Sequence, residues 1–224
     1  MNNTRSPGGA YGLFHADLQA LSDTELLAAF LGSIRDKHKA ITLAHRLMAC
    51  YGDLRALLNS SLEAFCAASG INSSFYIQMQ AVREMCRRSD WIHLQNQTAL
   101  ANIEETHVFL KRRLRDNRNE TFAILFLNNH HQVLAYEELF HGTVNYATVH
   151  LRILVERTLH HNAAALILAH NHPSGISRPS AHDLTITKKL AKALQLIDVR
   201  LLDHLIIGDN EIYSIMQSGK KPCY

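Results

Sequence analysis

The sequence predicts a chain in two parts, a small all-α bundle followed by a mixed α/β domain. Three observations carry this. Apolar residues over roughly 22–90 recur at helical spacing between short breaks. From residue 121, short apolar runs of strand length take over, separated by Asn, Gly and Pro. The 224 residues, 47% hydrophobic, suffice for one large core or two small ones.

Residues 1–20, rich in Gly, Asn and Ser, read as a loose start. The helical part is expected over 21–90. Ser22 and Glu25 have capping-box spacing ahead of the apolar stretch 26–31. A second helix is predicted near 40–50, with Leu43, Leu47 and Met48 on one face. A third follows over 62–68 after Ser60 and Ser61, and Gly70 stops it. A fourth is predicted near 75–88. Periodicity weakens after that, which places a linker at 91–103. The second domain spans 104–224 and opens on a helix over 104–115. Residues 122–127 and 133–140 read as strands, with Asn128 and Asn129 between them as a turn. A helix over 151–160 leads to a buried strand, 163–169, that runs straight into His170. A helix over 183–195 and a strand over 199–207 complete the α/β pattern.

Composition excludes several classes. No apolar run approaches the length of a membrane span, and the opening MNNTRSPGGAYGLF lacks the pattern of a secretory signal. Cys50, Cys66, Cys86 and Cys223 form no Cys-x-x-Cys pair, so neither a disulfide framework nor a cysteine-held metal is expected. A reducing, cytoplasmic setting fits. A net charge of +3 is too small to imply a nucleic-acid partner by itself. The adjacent histidines His130/His131 and His160/His161 point to opposite faces of any strand and do not suit one ion.

The informative segment is 169–183, AHNHPSGISRPSAHD. A spacing of two puts the His170 and His172 imidazoles on one face of the strand end, with Asn171 facing away. Pro173, Gly175 and Pro179 turn the chain, and Ser180 sits where the cap of the next helix belongs, three residues before Asp183. That geometry can return the Asp183 carboxylate to the two histidines. Two imidazoles and one carboxylate suit Zn2+ and leave a fourth position for water, which marks a catalytic site. The Ser180 hydroxyl can serve as a cap or as a donor to a developing oxyanion. No His-x-Glu with Pro-Cys-x-x-Cys and no His-Glu-x-x-His is present, which removes the nucleobase-deaminase and zincin readings.

This segment resembles the JAMM (MPN-plus) motif, His-x-His-Pro, six residues, then Ser-x-x-Asp. His170, His172, Pro173, Ser180 and Asp183 all match. The longer pattern His-Asn-His-Pro-Ser-Gly is that of the bacterial RadC-like (UPF0758) family. FHGT at 140–143, NAAA at 162–165, LDH at 202–204, ELL at 25–27 and Gly70-Ile71 agree with it, so the resemblance covers about 20–220. It implies an MPN (JAB1/cytidine-deaminase-like) α/β domain preceded by a small all-α helix-hairpin-helix-type domain. It also implies a zinc metallopeptidase site acting on a protein or peptide.

Two departures stand out. The family opens the helix before the histidine strand with His-Pro-Arg-Glu, and this chain reads HLRI at 150–153, with Ile153 in place of the glutamate. Glu137, Glu138 and Glu156 are the remaining carboxylates nearby. The sequence points to Glu138 as general base, since Phe140 two residues on is a natural buried neighbour; a solvated strand residue is the equal alternative. The family's Gly-Ile-Gly hairpin is Gly70-Ile71-Asn72 here. Residues 1–90 hold nine Lys/Arg against eight Asp/Glu, so DNA binding through the helical part is an expectation that charge does little to support. Lys111, Arg112, Arg113, Arg115 and Arg118 read as a solvated helix face before a binding patch. Asp203-His204 reads either as a pair orienting a ligand imidazole or as a buried structural hydrogen bond. The sequence therefore supports a zinc-dependent metallopeptidase-like hydrolase first. A DNA-associated repair or recombination module, and a zinc-bound protein-binding domain without catalysis, are the alternatives.

Overall fold

The computed structural model describes residues 17–33, 37–71, 73–95, 99, 103–141 and 151–218. The chain divides into two compact units, Met1–Met85 and Cys86–Tyr224.

The first unit is helical. α1 (Asp23–Phe30) opens on the expected capping box: Ser22 Oγ accepts from the Glu25 N–H, and the Glu25 carboxylate accepts from the Ser22 N–H. α2 (Lys37–Tyr51), α3 (Leu54–Leu58), α4 (Leu62–Ser69) and α5 (Ser73–Gln95) follow. Leu27, Leu31, Leu47, Leu57 and Phe65 make the core. Asp53 and Ser61 cap α3 and α4. α3 has only five residues, too few to show a period. Gly70 (φ 66°) ends α4 in the left-handed conformation that such a stop favours. Asn72, the altered hairpin position, lies outside the described residues. The unit boundary falls within α5. The expected linker, 91–103, begins on the last turn of that helix, and 96–98 and 100–102 lie outside the described residues.

The second unit is a three-layer α/β/α domain. After α6 (Ile103–Leu114) come β1 (Thr121–Leu127), β2 (Val133–His141), α7 (Leu151–His160), β3 (Ala165–Asn171), α8 (Ala181–Gln195), β4 (Arg200–Ile207), β5 (Ile212–Ser214) and the short α9 (Ile215–Ser218). The sheet order is β2-β1-β3-β4-β5. β1 is antiparallel to both β2 and β3, and β3 is parallel to β4. A parallel pair needs a crossover, and α8 supplies it.

Strand periodicity divides the side chains between two cores. Ala123, Leu125, Ile167 and Ala169 pack with Phe109, Leu110 and Leu114 of α6. Phe122, Ile124, Leu166 and Leu168 pack with Leu154 of α7 and with Leu190 and Leu194 of α8. Both faces of β1 and β3 are covered, which is why these strands are apolar without alternation. No described helix is long and apolar enough to cross a membrane.

Candidate metal centre

The centre forms where β3 ends against the start of α8. His170 continues the row of Leu166 and Leu168 on the α8 face. His172 lies just past the strand, and its backbone N–H still donates to the Ile207 carbonyl at 3.1 Å. The two side chains therefore stay on one face, with their Nε2 atoms 3.1 Å apart. Pro173 leads into a turn that Gly175 completes at φ 77°. This left-handed conformation favours glycine, and a Cβ there would also displace the Asp209 carboxylate. This turn brings the Ile176 carbonyl to 2.8 Å from His172 Nδ1. A carbonyl only accepts, so Nδ1 carries a hydrogen, and in the neutral ring Nε2 presents a lone pair.

Ser180 caps α8, as the sequence predicts. Its hydroxyl accepts from the Asp183 N–H at 3.1 Å and donates to Asp183 Oδ2 at 2.7 Å. The same oxygen takes the Ser180 N–H at 2.7 Å. Asp183 is thereby held at the N-terminal end of α8, where the helix dipole favours a carboxylate. Its Oδ1 lies 3.3 Å from His170 Nε2 and its Oδ2 3.6 Å from His172 Nε2. Burial pushes the Asp183 carboxyl up, but His170, His172 and Ser180 outweigh it and hold the group well below the usual range. The neighbouring Asp183 carboxylate raises His172, favouring its protonated form when no metal is bound, against the opposing effect of burial.

The fourth member is Glu120, 3.8 Å from His170 Nε2. Ligand atoms from Glu120, His170, His172 and Asp183 all lie within 4.8 Å of one another. Burial pushes the Glu120 carboxyl up, while His170 and His172 pull it down. Two carboxylates converge with facing imidazole nitrogens on one half-buried point. Imidazole nitrogens and carboxylate oxygens gathered in this way can hold a divalent metal ion.

The sequence reading missed Glu120. Its neighbour β1 pairs Phe122 with His170, and continuing that register sets 120 opposite 172. Asn171 fixes the approach. Its side-chain oxygen accepts the Thr121 N–H at 2.7 Å, and its amide donates to the carbonyls of Asn117 and Asn119 at 3.0 and 3.3 Å.

Glu138 is not brought to this centre, which corrects the expected general base. It shares the α6 face of the sheet with Tyr136, whose hydroxyl donates to it at 2.9 Å, whereas His170 lies on the opposite face. Glu137 does face α7, but Arg157 and His161 hold it there. Glu156 is exposed on α7. The pair Asp203-His204 separates. Asp203 accepts from Ser214 Oγ and the Met216 N–H, pinning the β5–α9 corner, while His204 Nε2 lies 2.9 Å from His170 Nδ1. Within the basic cluster, Lys111 donates to the Asn210 carbonyl, Arg112 pairs with Asp90, and Arg113 donates to the Arg87 carbonyl and lies over Phe109.

A helical region followed by this mixed sheet, with the donor cluster at the end of β3, defines an MPN/JAB-type domain. The RadC-like JAB domain family matches residues 100–220, and the UPF0758 N-terminal family matches 13–77. A UPF0758 protein of Legionella pneumophila is 53% identical over 206 residues, covering 92% of this chain and 91% of that protein. Another, from Halorhodospira halophila, is 49% identical over 201 residues, with 90% of each chain covered. The chain belongs to the RadC-like UPF0758 family.

Proposed function

We propose that this protein is a zinc-dependent hydrolase of amide or isopeptide bonds in a protein or peptide substrate. His170, His172 and Asp183 are the ligands and Glu120 is the general base. The observation that carries this reading is the convergence of those four side chains within 4.8 Å. A zinc ion held there supplies a Lewis acid that brings the pKa of water toward about 7 and polarises a carbonyl.

The chain's own groups do the rest. Glu120 is more exposed than Asp183, so it stands on the open side of the cluster, where substrate enters. Burial of its carboxyl strengthens it as a base. It takes a proton from the attacking water as the oxygen bonds to the carbonyl carbon. It returns that proton to the leaving amine as the C–N bond breaks. Ser180 keeps Asp183 in place.

Elemental analysis of the purified full chain, beside H172A and D183A, tests the ligands. About one zinc per chain, lost in both variants, is expected. Glu120→Gln tests the base. Retained zinc with at least a hundredfold loss of peptide hydrolysis supports the assignment. Loss of zinc in E120Q makes Glu120 a fourth ligand and the centre a closed, structural one.

A further inference from the structure

We propose that Thr187 and His204 form a hydrogen-bonded relay that fixes which nitrogen of His170 carries its hydrogen, making both of them positioning residues for the metal centre. The inference rests on the metal reading above.

The chain of roles starts at a backbone carbonyl. Thr187 Oγ1 lies 2.5 Å from the Asp183 carbonyl oxygen, one turn back along α8. The carbonyl cannot donate, so the hydroxyl proton goes to it. Having given its only proton, Oγ1 must accept at its other contact, His204 Nδ1, 2.6 Å away. His204 therefore carries its hydrogen on Nδ1 and leaves Nε2 bare. That bare nitrogen faces His170 Nδ1 at 2.9 Å and accepts from it. His170 is left with its hydrogen on Nδ1 and a lone pair on Nε2, the atom that faces His172, Asp183 and Glu120.

The surroundings keep this order intact. His204, Thr187 and His170 are all buried, and the Phe122 ring meets His204 edge-on with centroids 5.6 Å apart. Water has little access to offer an alternative partner. The relay ends on the backbone of Asp183, itself a proposed ligand, so one turn of α8 sets both the carboxylate and the imidazole tautomer. His172 has the same polarity from a separate source, the Ile176 carbonyl. Both imidazoles, in their neutral form, thus present Nε2 lone pairs to the centre. Groups that orient a metal-bound histidine through its second nitrogen typically govern affinity by about 10–100-fold.

The test is nitrogen-15 NMR of the histidine rings in the full chain, with zinc affinity measured by competition against a chromophoric chelator. In the wild type, His204 is expected to show a protonated Nδ1 and a bare Nε2. Thr187→Val keeps the side-chain shape and removes the hydroxyl. It is expected to shift His204 toward the Nε2-protonated form and to weaken zinc binding about tenfold or more. Thr187→Ser is expected to restore both. A wild-type His204 protonated on Nε2 overturns the relay and needs no substitution to be seen. Zinc bound by T187V as tightly as by the wild type also overturns it. A wild type that binds no zinc overturns instead the metal reading on which the relay depends.

Discussion

Asn171, the residue between the two histidines, turns away from them and takes the Thr121 N–H on its side-chain oxygen at 2.7 Å. It is fully buried, and its amide holds the Asn117 and Asn119 carbonyls as well. One side chain thus ties the loop carrying Glu120 to the strand carrying His170. Asn171→Leu leaves a buried N–H and two carbonyls without this partner. A stability loss of about 1–3 kcal/mol is expected, read by denaturant unfolding. Zinc content should persist while turnover falls more than zinc affinity, because the displaced group is Glu120 and not a proposed ligand.

Gly175 governs the other side of the centre. Its φ of 77° strains any side chain, and a methyl group there would push the Asp209 carboxylate aside. Gly175→Ala is expected to cost about 1–2 kcal/mol from backbone conformation alone. The turn it closes delivers the Ile176 carbonyl to His172, so zinc affinity should fall as well. Competition with a chelator, beside thermal unfolding, checks both effects.

Much of this arrangement was legible in the sequence. The period of two placed His170 and His172 together, and the Ser180–Asp183 spacing gave the cap that returns the carboxylate. These are local relationships, fixed by strand and helix geometry. Glu120 was not legible, because its place depends on the register between β1 and β3, strands separated by β2 and α7 in the chain. The choice of Glu138 rested on alternation along β2, which says which residues share a face but not which face looks toward the histidines. Phe140 gave the parity, and the sheet's second helical layer, α6, covers the side on which Glu138 lies. The role of Thr187 was equally hidden, since a threonine inside a helix has no sequence mark that separates packing from hydrogen bonding.

Glu137 supplies a pH-dependent element away from the centre. The Arg157 hydrogen bonds, aided by His161, bring its carboxyl from 4.5 down to about 2. A group depressed in the folded state adds stability that is complete above its unfolded value and is lost as pH falls through its folded value. The contribution is therefore full above pH 4.5 and disappears as pH falls toward about 2. Solvent screening keeps it on the order of 1 kcal/mol. Glu137→Gln should be less stable than the wild type at neutral pH and should converge with it near pH 2. Unfolding free energies of metal-free protein across that range check the sign; a constant gap between the two proteins would contradict it.

Ser180 offers the sharpest separation between a structural and a chemical role. Its hydroxyl has one proton, and that proton goes to Asp183 Oδ2 at 2.7 Å. To stabilise an oxyanion, the hydroxyl must leave Asp183 during the reaction. If it remains a cap, Ser180→Ala removes the cap of α8 at a cost of about 1 kcal/mol. Asp183 then loses one of its two hydrogen bonds from residue 180 but keeps the backbone one, so zinc affinity and turnover should fall together and only several-fold. If the hydroxyl serves the transition state, turnover should fall by about a hundredfold or more with zinc affinity little changed. Geometry favours the first outcome, since the same hydroxyl also accepts the Asp183 N–H and is held from both sides. Parallel measurement of kcat and of zinc affinity in S180A decides between them.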